Sequence, residues 1–184
     1  MQNPWTRRRW LQSVAATGAG LAFGNLAFAT DEPSDAERAL ELFNTHTSET
    51  VSVVFRRGKD YVAGAVASLR NLLRDHRSGE AHDIDVALYD QLHALARAAG
   101  RDPRFEIISG YRSPHSNAKL AAASNGVAKK SLHMSGQAID VRLKNYSCAD
   151  LRDLALAAQR GGVGYYRRSN FVHLDTGRFR TWAG

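Results

Sequence analysis

Two short segments in the C-terminal third of the chain alternate aliphatic and polar side chains, and this pattern constrains the fold more than any other feature. AIDVRL (138–143) places Asp140 on the face opposite its aliphatic residues, and FVHLD (171–175) does the same with His173 and Asp175. Side chains at alternate positions of a strand point to one face. Each segment is therefore expected to be a strand with one buried and one polar face. If the two strands are neighbours, His173 and Asp140 converge.

The rest of the chain is helix-rich first and strand-rich later, which favours an α+β fold. Apolar residues at helical spacing predict helices in DYVAGAVASLRNLLRDH, IDVALYDQLHALARAAG and CADLRDLALAAQRG. RALELFN and TVSVVFRR predict a β-hairpin, FEIISG and GVGYY predict strands, and NAKLAAAS predicts a short helix after the turn-rich loop YRSPHSN. With 184 residues and no internal repeat, the chain is long enough for one domain with its own core.

The first 29 residues have the pattern of an export signal. The basic stretch TRRRWLQ is followed by the apolar stretch VAATGAGLAFGNLAF, which ends in an Ala-Phe-Ala cleavage pattern. Arg7 and Arg8, followed by an aromatic residue and a leucine, resemble the twin-arginine signal. A retained membrane anchor is the alternative, but the apolar run is short and contains three glycines and an asparagine. We expect residues 1–29 to direct the chain to the periplasm and residues 30–184 to form one domain without a stable membrane span.

Charge and cysteine content narrow the class of protein. The net charge of +7 includes three leader arginines, so the processed chain carries +4. This mild excess suits a protein that works near an anionic polymer or a membrane surface. No arginine-rich helix with interleaved aromatic residues is present, so we expect no nucleic-acid partner. The single cysteine, Cys148, cannot form an internal disulfide, and the fold must therefore depend on its hydrophobic core.

Two of the seven histidines lie in surroundings that suit a metal site. In SLHMSGQAIDVRL, His133 precedes Asp140 by seven positions, and the intervening loop could fold His133 back over the strand towards His173. Zinc held by two imidazoles and one carboxylate keeps a fourth position for water, as in catalytic zinc sites. By spacing alone, the same stretch also fits an exposed loop with a turn at Gly136 and an acid that happens to begin a strand. Trp182 is expected to anchor the C-terminal segment.

Three motifs carry a resemblance to a known family. They are SGYRS at 109–113, the pattern S-x-H-x-x-G-x-A-x-D that ends at Asp140, and GVGYYRRSNFVHLDTG at 162–177. Together they resemble the periplasmic murein endopeptidases of the DUF882 type. That group is similar to the M15-like zinc peptidases, which include D-Ala-D-Ala carboxypeptidases and share their ligand set with the Hedgehog domain. The match covers roughly residues 36–182 and the twin-arginine leader.

The resemblance implies a fold, a metal and an activity. The expected fold is an antiparallel sheet with helices packed on one side. His133, Asp140 and His173 fall on the ligands of one Zn2+ per chain. Arg112 falls on the arginine that holds substrate or stabilises the developing oxyanion, a role that a permanently charged guanidinium suits. Its alternative role is to brace the neighbouring strand.

The implied reaction is hydrolysis of peptide crosslinks in bacterial peptidoglycan, which would make room for new wall strands. The expected partners are stem peptides and their crosslinks, and the expected state is a monomer. Two other functions fit the same residues: a non-catalytic murein-binding module and a carboxypeptidase that trims stem peptides.

One position departs from the superfamily pattern. Several members carry Glu or Asp as general base three residues before the last histidine ligand, and this chain has Asn170 there. Asparagine cannot accept the proton at neutral pH. Asp175, on the same strand face as His173, is therefore expected either to act as the base or to fix the tautomer of the imidazole.

Overall fold

The computed structural model describes residues 36–123 and 127–184. Eight strands are present in these ranges: β1 (Glu37–Asn44), β2 (Thr50–Arg57), β3 (Asp60–Tyr61), β4 (Arg104–Ser109), β5 (Ala138–Leu143), β6 (Gly162–Tyr166), β7 (Phe171–Asp175) and β8 (Arg180–Ala183). The helices there are α1 (Ala63–Leu72), α2 (Ala87–Ala98), α3 (Pro114–Ala123) and α4 (Cys148–Ala158), with a short 3-10 helix at Leu132–Ser135. The leader lies outside the described residues, and its assignment stays a prediction.

The α+β prediction is confirmed, but the prediction of an antiparallel sheet is wrong, because the sheet is mixed. The strand order is β3-β2-β1-β4-β5-β7-β6-β8. The pairs β1–β4 and β6–β8 are parallel, and the other pairs are antiparallel. The long connection through α1 and α2 returns the chain to the end of the sheet where β1 began. β4 therefore runs parallel to β1. After β7 the chain passes to the far side of β6, where β8 becomes an edge strand.

The hydrophobic core lies on one face of this sheet. The odd-numbered residues of β5, Ile139, Val141 and Leu143, are buried there with Val172 and Leu174 of β7. The apolar faces of α1, α2 and α4 join the same cluster, whereas α3 contributes no side chain to it. Burial of these aliphatic side chains is the main favourable term for a chain without a disulfide. The even-numbered face of β5 is therefore free of helices from this core and available to a polar site.

The boundaries of the later elements follow from local sequence. Ser147 precedes α4, and its side chain accepts a hydrogen bond from the backbone N–H of Asp150. A serine at this position satisfies one of the unpaired N–H groups at a helix start. The helix ends at Gln159, which has a left-handed conformation (φ 51°). Within the described ranges, every helix is too short or too polar to cross a bilayer.

Candidate metal centre

The two polar strand faces meet at one point on the side of the sheet opposite the hydrophobic core. β5 and β7 are antiparallel neighbours, and Asp140 lies directly opposite His173. The 3-10 helix before β5 folds His133 over the same point. Ser131 precedes this helix, and its side chain accepts a hydrogen bond from the backbone N–H of His133; Gly136 (φ 66°) follows the helix and turns the chain into β5. One short helix and two strands thus bring the three side chains together.

The three side chains converge closely enough to share one ion. His133 Nε2 lies 3.3 Å from Asp140 Oδ1 and 3.3 Å from His173 Nδ1. His173 Nδ1 lies 2.9 Å from Asp140 Oδ1. All three residues are buried, with exposed fractions of 3% for His133, 6% for Asp140 and 7% for His173. The three residues that the sequence suggested as ligands are therefore neighbours in the structure.

The outer nitrogen of each imidazole is already engaged. His133 Nδ1 lies 2.7 Å from the carbonyl oxygen of Gly110, which can only accept, so this nitrogen carries the hydrogen. His173 Nε2 lies 3.1 Å from Asp175 Oδ2 and donates to that carboxylate. In the neutral rings, the lone pairs are therefore on His133 Nε2 and His173 Nδ1, the two atoms that face Asp140. Hydrogen bonds to the distal nitrogen commonly fix metal-binding histidines in this way.

This donor set fits a divalent cation. Two imidazole nitrogens and a carboxylate oxygen, each about 2.0–2.2 Å from a tetrahedral ion, are separated from one another by about 3.3 Å. The observed separations of 2.9 to 3.3 Å match that spacing. Three lone pairs pointing at one another in a buried pocket repel unless a proton or a cation lies between them. The chemistry of the residues thus favours an ion at this point.

The charges around the site shift the pKa values of Asp140 and His173 in opposite directions. Burial raises the pKa of Asp140, but the charge and hydrogen bonds of His133 and His173 outweigh it and hold that pKa well below its usual range. Burial lowers the pKa of His173, whereas Asp140 and Asp175 raise it, and the net shift is upward. Asp140 is therefore an ionised carboxylate across the physiological pH range.

Arg112 lies beside this centre on the loop after β4. Its Nη2 is 3.9 Å from Asp140 Oδ2, and its backbone N–H donates to the carbonyl oxygen of His133. Burial lowers the pKa of Arg112, and the charge of Asp140 opposes this shift. The loop is fixed from behind by Asp75, whose buried carboxylate accepts a hydrogen bond from the backbone N–H of Ser113 at 2.9 Å. Arg112 is therefore held beside the site, with its backbone bonded to His133 and its guanidinium facing Asp140.

Comparison with known proteins decides the family. The family model Peptidase_M15_2, described as peptidoglycan L,D-endopeptidase MepK, matches residues 32–182. Peptidoglycan L,D-endopeptidase MepK of Escherichia coli K12 is 42% identical over 176 residues, which cover 95% of this chain and 96% of that protein. The probable peptidoglycan L,D-endopeptidase MepK of Haemophilus influenzae is 34% identical over 179 residues, with coverage of 97% and 96%. This chain belongs to the MepK family. The resemblance inferred from its motifs is confirmed.

Asp175 is placed differently from the other polar residues of this MepK-family site. It is fully buried, and its Oδ1 accepts hydrogen bonds from the backbone N–H groups of Gly162 and Gly177. Arg180 donates to both carboxylate oxygens, and His173 donates to Oδ2. Burial raises the pKa of Asp175, but these donors hold it well below its usual range. A carboxylate saturated in this way is a poor proton acceptor, so its geometry fits the tautomer-fixing role and argues against the role of base.

Asn170 occupies the turn between β6 and β7. Its backbone has a left-handed conformation (φ 52°), and the residue is exposed. Asparagine is one of the few residues other than glycine that readily adopts this conformation. The position at which an acidic base was considered is therefore occupied here by a residue that turns the chain.

The site opens into a cleft of about 380 Å3, which is lined by Arg180, a residue not considered in the sequence analysis, and by Trp182, which was expected only to anchor the C-terminal segment. Trp182 of β8 lies against His173, with ring centroids 5.0 Å apart, and its Nε1 donates to the hydroxyl of Tyr166. Trp182 thus lines the cleft as well as belonging to the C-terminal strand. Arg180 lines it too. The shared strand face of Arg180 and Trp182 in RTWA is the one sequence signal that could have indicated them.

Proposed function

We propose that this chain is a zinc-dependent endopeptidase that hydrolyses peptide crosslinks of peptidoglycan in the periplasm. The observation that carries the zinc assignment is the convergence of His133, Asp140 and His173 with both imidazole tautomers fixed from outside. Membership of the MepK family carries the activity: the chain is a peptidoglycan endopeptidase. Two imidazoles and one carboxylate are a common donor set of catalytic zinc. We also propose that residues 1–29 are a twin-arginine export signal and that residues 30–184 form a single domain that is monomeric.

The ion and the residues around it have different roles in the proposed reaction. A divalent ion bound there supplies a Lewis acid that polarises the scissile carbonyl and lowers the pKa of a water molecule. Arg112 offers fixed donors to the negative charge that develops on the carbonyl oxygen. The wall formed by Trp182 narrows the cleft beside His173. Gly110 and Asp175 keep the two imidazoles oriented throughout.

The type of crosslink follows from the relatives. Both curated proteins are named L,D-endopeptidases, and the family model has the same description. We therefore propose that this chain cuts the amide between an L-configured and a D-configured residue, as in 3-3 crosslinks, in preference to the D,D bond of 4-3 crosslinks. The cleft carries the cationic side chains Arg112 and Lys130, which suit the free carboxylates of stem peptides.

Digestion of purified sacculi tests the proposal. The wild-type protein should convert crosslinked muropeptides to monomers, and treatment with a chelator should stop the reaction until Zn2+ is restored. Asp140→Ala and His173→Ala should each lose the activity and the bound zinc of about one equivalent per chain. His115→Ala removes an exposed histidine and should change neither.

The same digestion separates the alternatives. Binding to sacculi without release of monomers would indicate a murein-binding module. Shortened stem peptides with intact crosslinks would indicate a carboxypeptidase. Hydrolysis that persists in Asp140→Ala would contradict the metal assignment, and loss of 4-3 crosslinks alone would contradict the L,D assignment.

A further inference from the structure

Arg180 begins the edge strand β8 and forms a two-pronged ion pair with a residue two strands away. Its Nη1 lies 3.0 Å from Asp175 Oδ1 and its Nη2 lies 2.6 Å from Asp175 Oδ2. The side chain of Asp175 is fully buried, and that of Arg180 is 35% exposed towards the cleft. Paired donors of this kind fix both the position and the plane of a carboxylate. Arg180 therefore fixes the plane of the Asp175 carboxylate, together with the backbone N–H groups of Gly162 and Gly177.

The ion pair crosses β6 at a position where only glycine leaves room. β6 lies between β7 and β8, and Gly162 pairs with Arg180 in the β6–β8 register. A Cβ atom at Gly162 would lie 2.4 Å from Arg180 Nη1 and 2.4 Å from Asp175 Oδ2. The backbone N–H of Gly162 also donates to Asp175 Oδ1. Because Gly162 has no side chain, the guanidinium of Arg180 on the edge strand can reach Asp175 on the polar face of β7.

The carboxylate held in this way has its other contact at the candidate metal centre. Asp175 Oδ2 accepts from Arg180 and from His173 Nε2, so one oxygen joins the guanidinium to the imidazole. Removing Arg180 would leave a buried carboxylate without its cation, which is strongly unfavourable and drives rearrangement or hydration. His173 would then lose the fixed partner that directs Nδ1 towards Asp140 and His133.

We propose that Arg180 is a positioning residue of the metal centre, which acts through Asp175 to orient His173. This inference rests on the proposed function, because it requires the three-residue centre to hold a metal. A different role, in which the ion pair only attaches β8 to the sheet, would affect folding stability and leave metal affinity unchanged. The two roles therefore differ in a measurable quantity.

The test is Zn2+ affinity of the purified full chain, measured by competition with a chromophoric chelator at fixed pH. Arg180→Gln should weaken binding by about 10-fold to 100-fold, the usual effect of removing a partner of a metal-binding histidine. With Co2+ in place of Zn2+, the visible absorption bands should shift because the imidazole is no longer held in one orientation. Arg178→Gln is the matched control, since Arg178 is exposed in the same connection and its side chain makes none of these contacts. It should retain wild-type affinity and spectrum.

A second variant guards against misfolding of the first. Gly162→Ala keeps every charged group but pushes the ion pair apart, and it should weaken Zn2+ binding in the same range. Thermal unfolding of the metal-free proteins shows whether each variant is folded. Folded Arg180→Gln or Gly162→Ala protein with wild-type affinity and an unchanged Co2+ spectrum would overturn the role of Arg180 alone. A wild-type chain that binds no Zn2+ would overturn the proposed function instead.

Discussion

His133 and His173 each use one ring nitrogen for a hydrogen bond outside the cleft and turn the other inwards. The outside acceptors differ: a backbone carbonyl for His133 and a carboxylate for His173. A carboxylate makes its imidazole a stronger electron donor than a carbonyl does. The two ligands of the proposed centre are therefore chemically unequal, although they are the same residue type.

Arg112 offers a prediction at the same scale. Arg112→Gln removes the charged donors beside Asp140 but none of the three proposed ligands, so Zn2+ content should remain and kcat should fall by about 100-fold to 1,000-fold. The measurement is the rate of muropeptide cleavage beside metal analysis of the same sample. Arg77→Gln, an exposed change of the same charge, serves as the control. A kcat within a few-fold of wild type would assign Arg112 to bracing its strand.

Some residues of the site could be predicted from the sequence, and others could not. Strand parity placed Asp140 and His173 on polar strand faces, whereas the resemblance to the zinc peptidases indicated all three ligands, His133 included. Arg180 could not be found in this way, because its link to Asp175 crosses an intervening strand, and sequence spacing carries no information on which strand lies between. The hydrogen bonds that Asp175 accepts from two backbone N–H groups could not be predicted either, since they depend on tertiary contacts.

At the scale of secondary structure, the glycines of β6 allow side chains of the neighbouring strands to pack against its backbone. A Cβ atom at Gly164 would lie 2.5 Å from Cε2 of Trp182, so the indole rests directly on the strand backbone. Gly164 pairs with His173 on one side and with Trp182 on the other. The spacing of the two glycines in GVGYY therefore lets β8 contribute to a cleft that it would otherwise only border.

Gly164→Ala should displace the indole and lower the rate of crosslink hydrolysis, with a loss of about 1–3 kcal/mol in the free energy of unfolding from overpacking. Trp182 is the only tryptophan outside the first 29 residues, so emission from the processed protein should shift to longer wavelength as the ring becomes exposed. Gly64→Ala is a matched control in α1, where an added Cβ meets nothing within 4 Å. It should be neutral or stabilising. Unchanged emission in Gly164→Ala would contradict the packing described for Trp182.

Helices and strands with a regular spacing of apolar residues were predicted from the sequence. Elements without such a spacing were missed or given wrong boundaries. The hairpin β1–β2 and the helices α1, α2 and α4 follow from their spacing of apolar residues. β8 was missed because RTWA has four residues and no aliphatic alternation, and α3 begins at Pro114, earlier than expected, within a stretch read as a loop. The parallel pairs were missed because alternation reports which face is buried and not the direction of the neighbouring strand.

For the molecule as a whole, buried carboxylates make stability dependent on pH. Asp75 supports the Arg112 loop. Burial raises its pKa, but hydrogen bonds from Ser116, Ser113 and the backbone of Arg77 hold that pKa well below 3.8. A carboxylate with a lowered folded-state pKa stabilises the fold above its unfolded-state pKa, and this contribution is lost as pH falls towards the folded-state value.

We therefore expect the free energy of unfolding of chelator-treated protein to decrease as pH is lowered from about 5 to 3. Asp75→Asn should cost about 1–3 kcal/mol at pH 7, because it replaces a buried acceptor of several hydrogen bonds. It should also flatten the pH dependence. Urea unfolding at a series of pH values measures both effects. An equal slope in the wild-type and variant proteins would show that Asp75 does not contribute to acid sensitivity.

The sheet has one face packed against the core and one face that carries the cleft, so the parity of a strand position separates two kinds of tolerance to mutation. Along β5, the odd-numbered side chains enter the core, and Asp140 on the opposite face lines the cleft. On β7, the odd-numbered side chains approach the cleft instead. A library at cleft-lining positions other than the three proposed ligands, such as Phe171 and Tyr166, would vary the cleft wall while leaving the ligands and the aliphatic packing intact. Laboratory evolution of new wall-cleaving specificities could thus proceed on this scaffold with little risk to foldability.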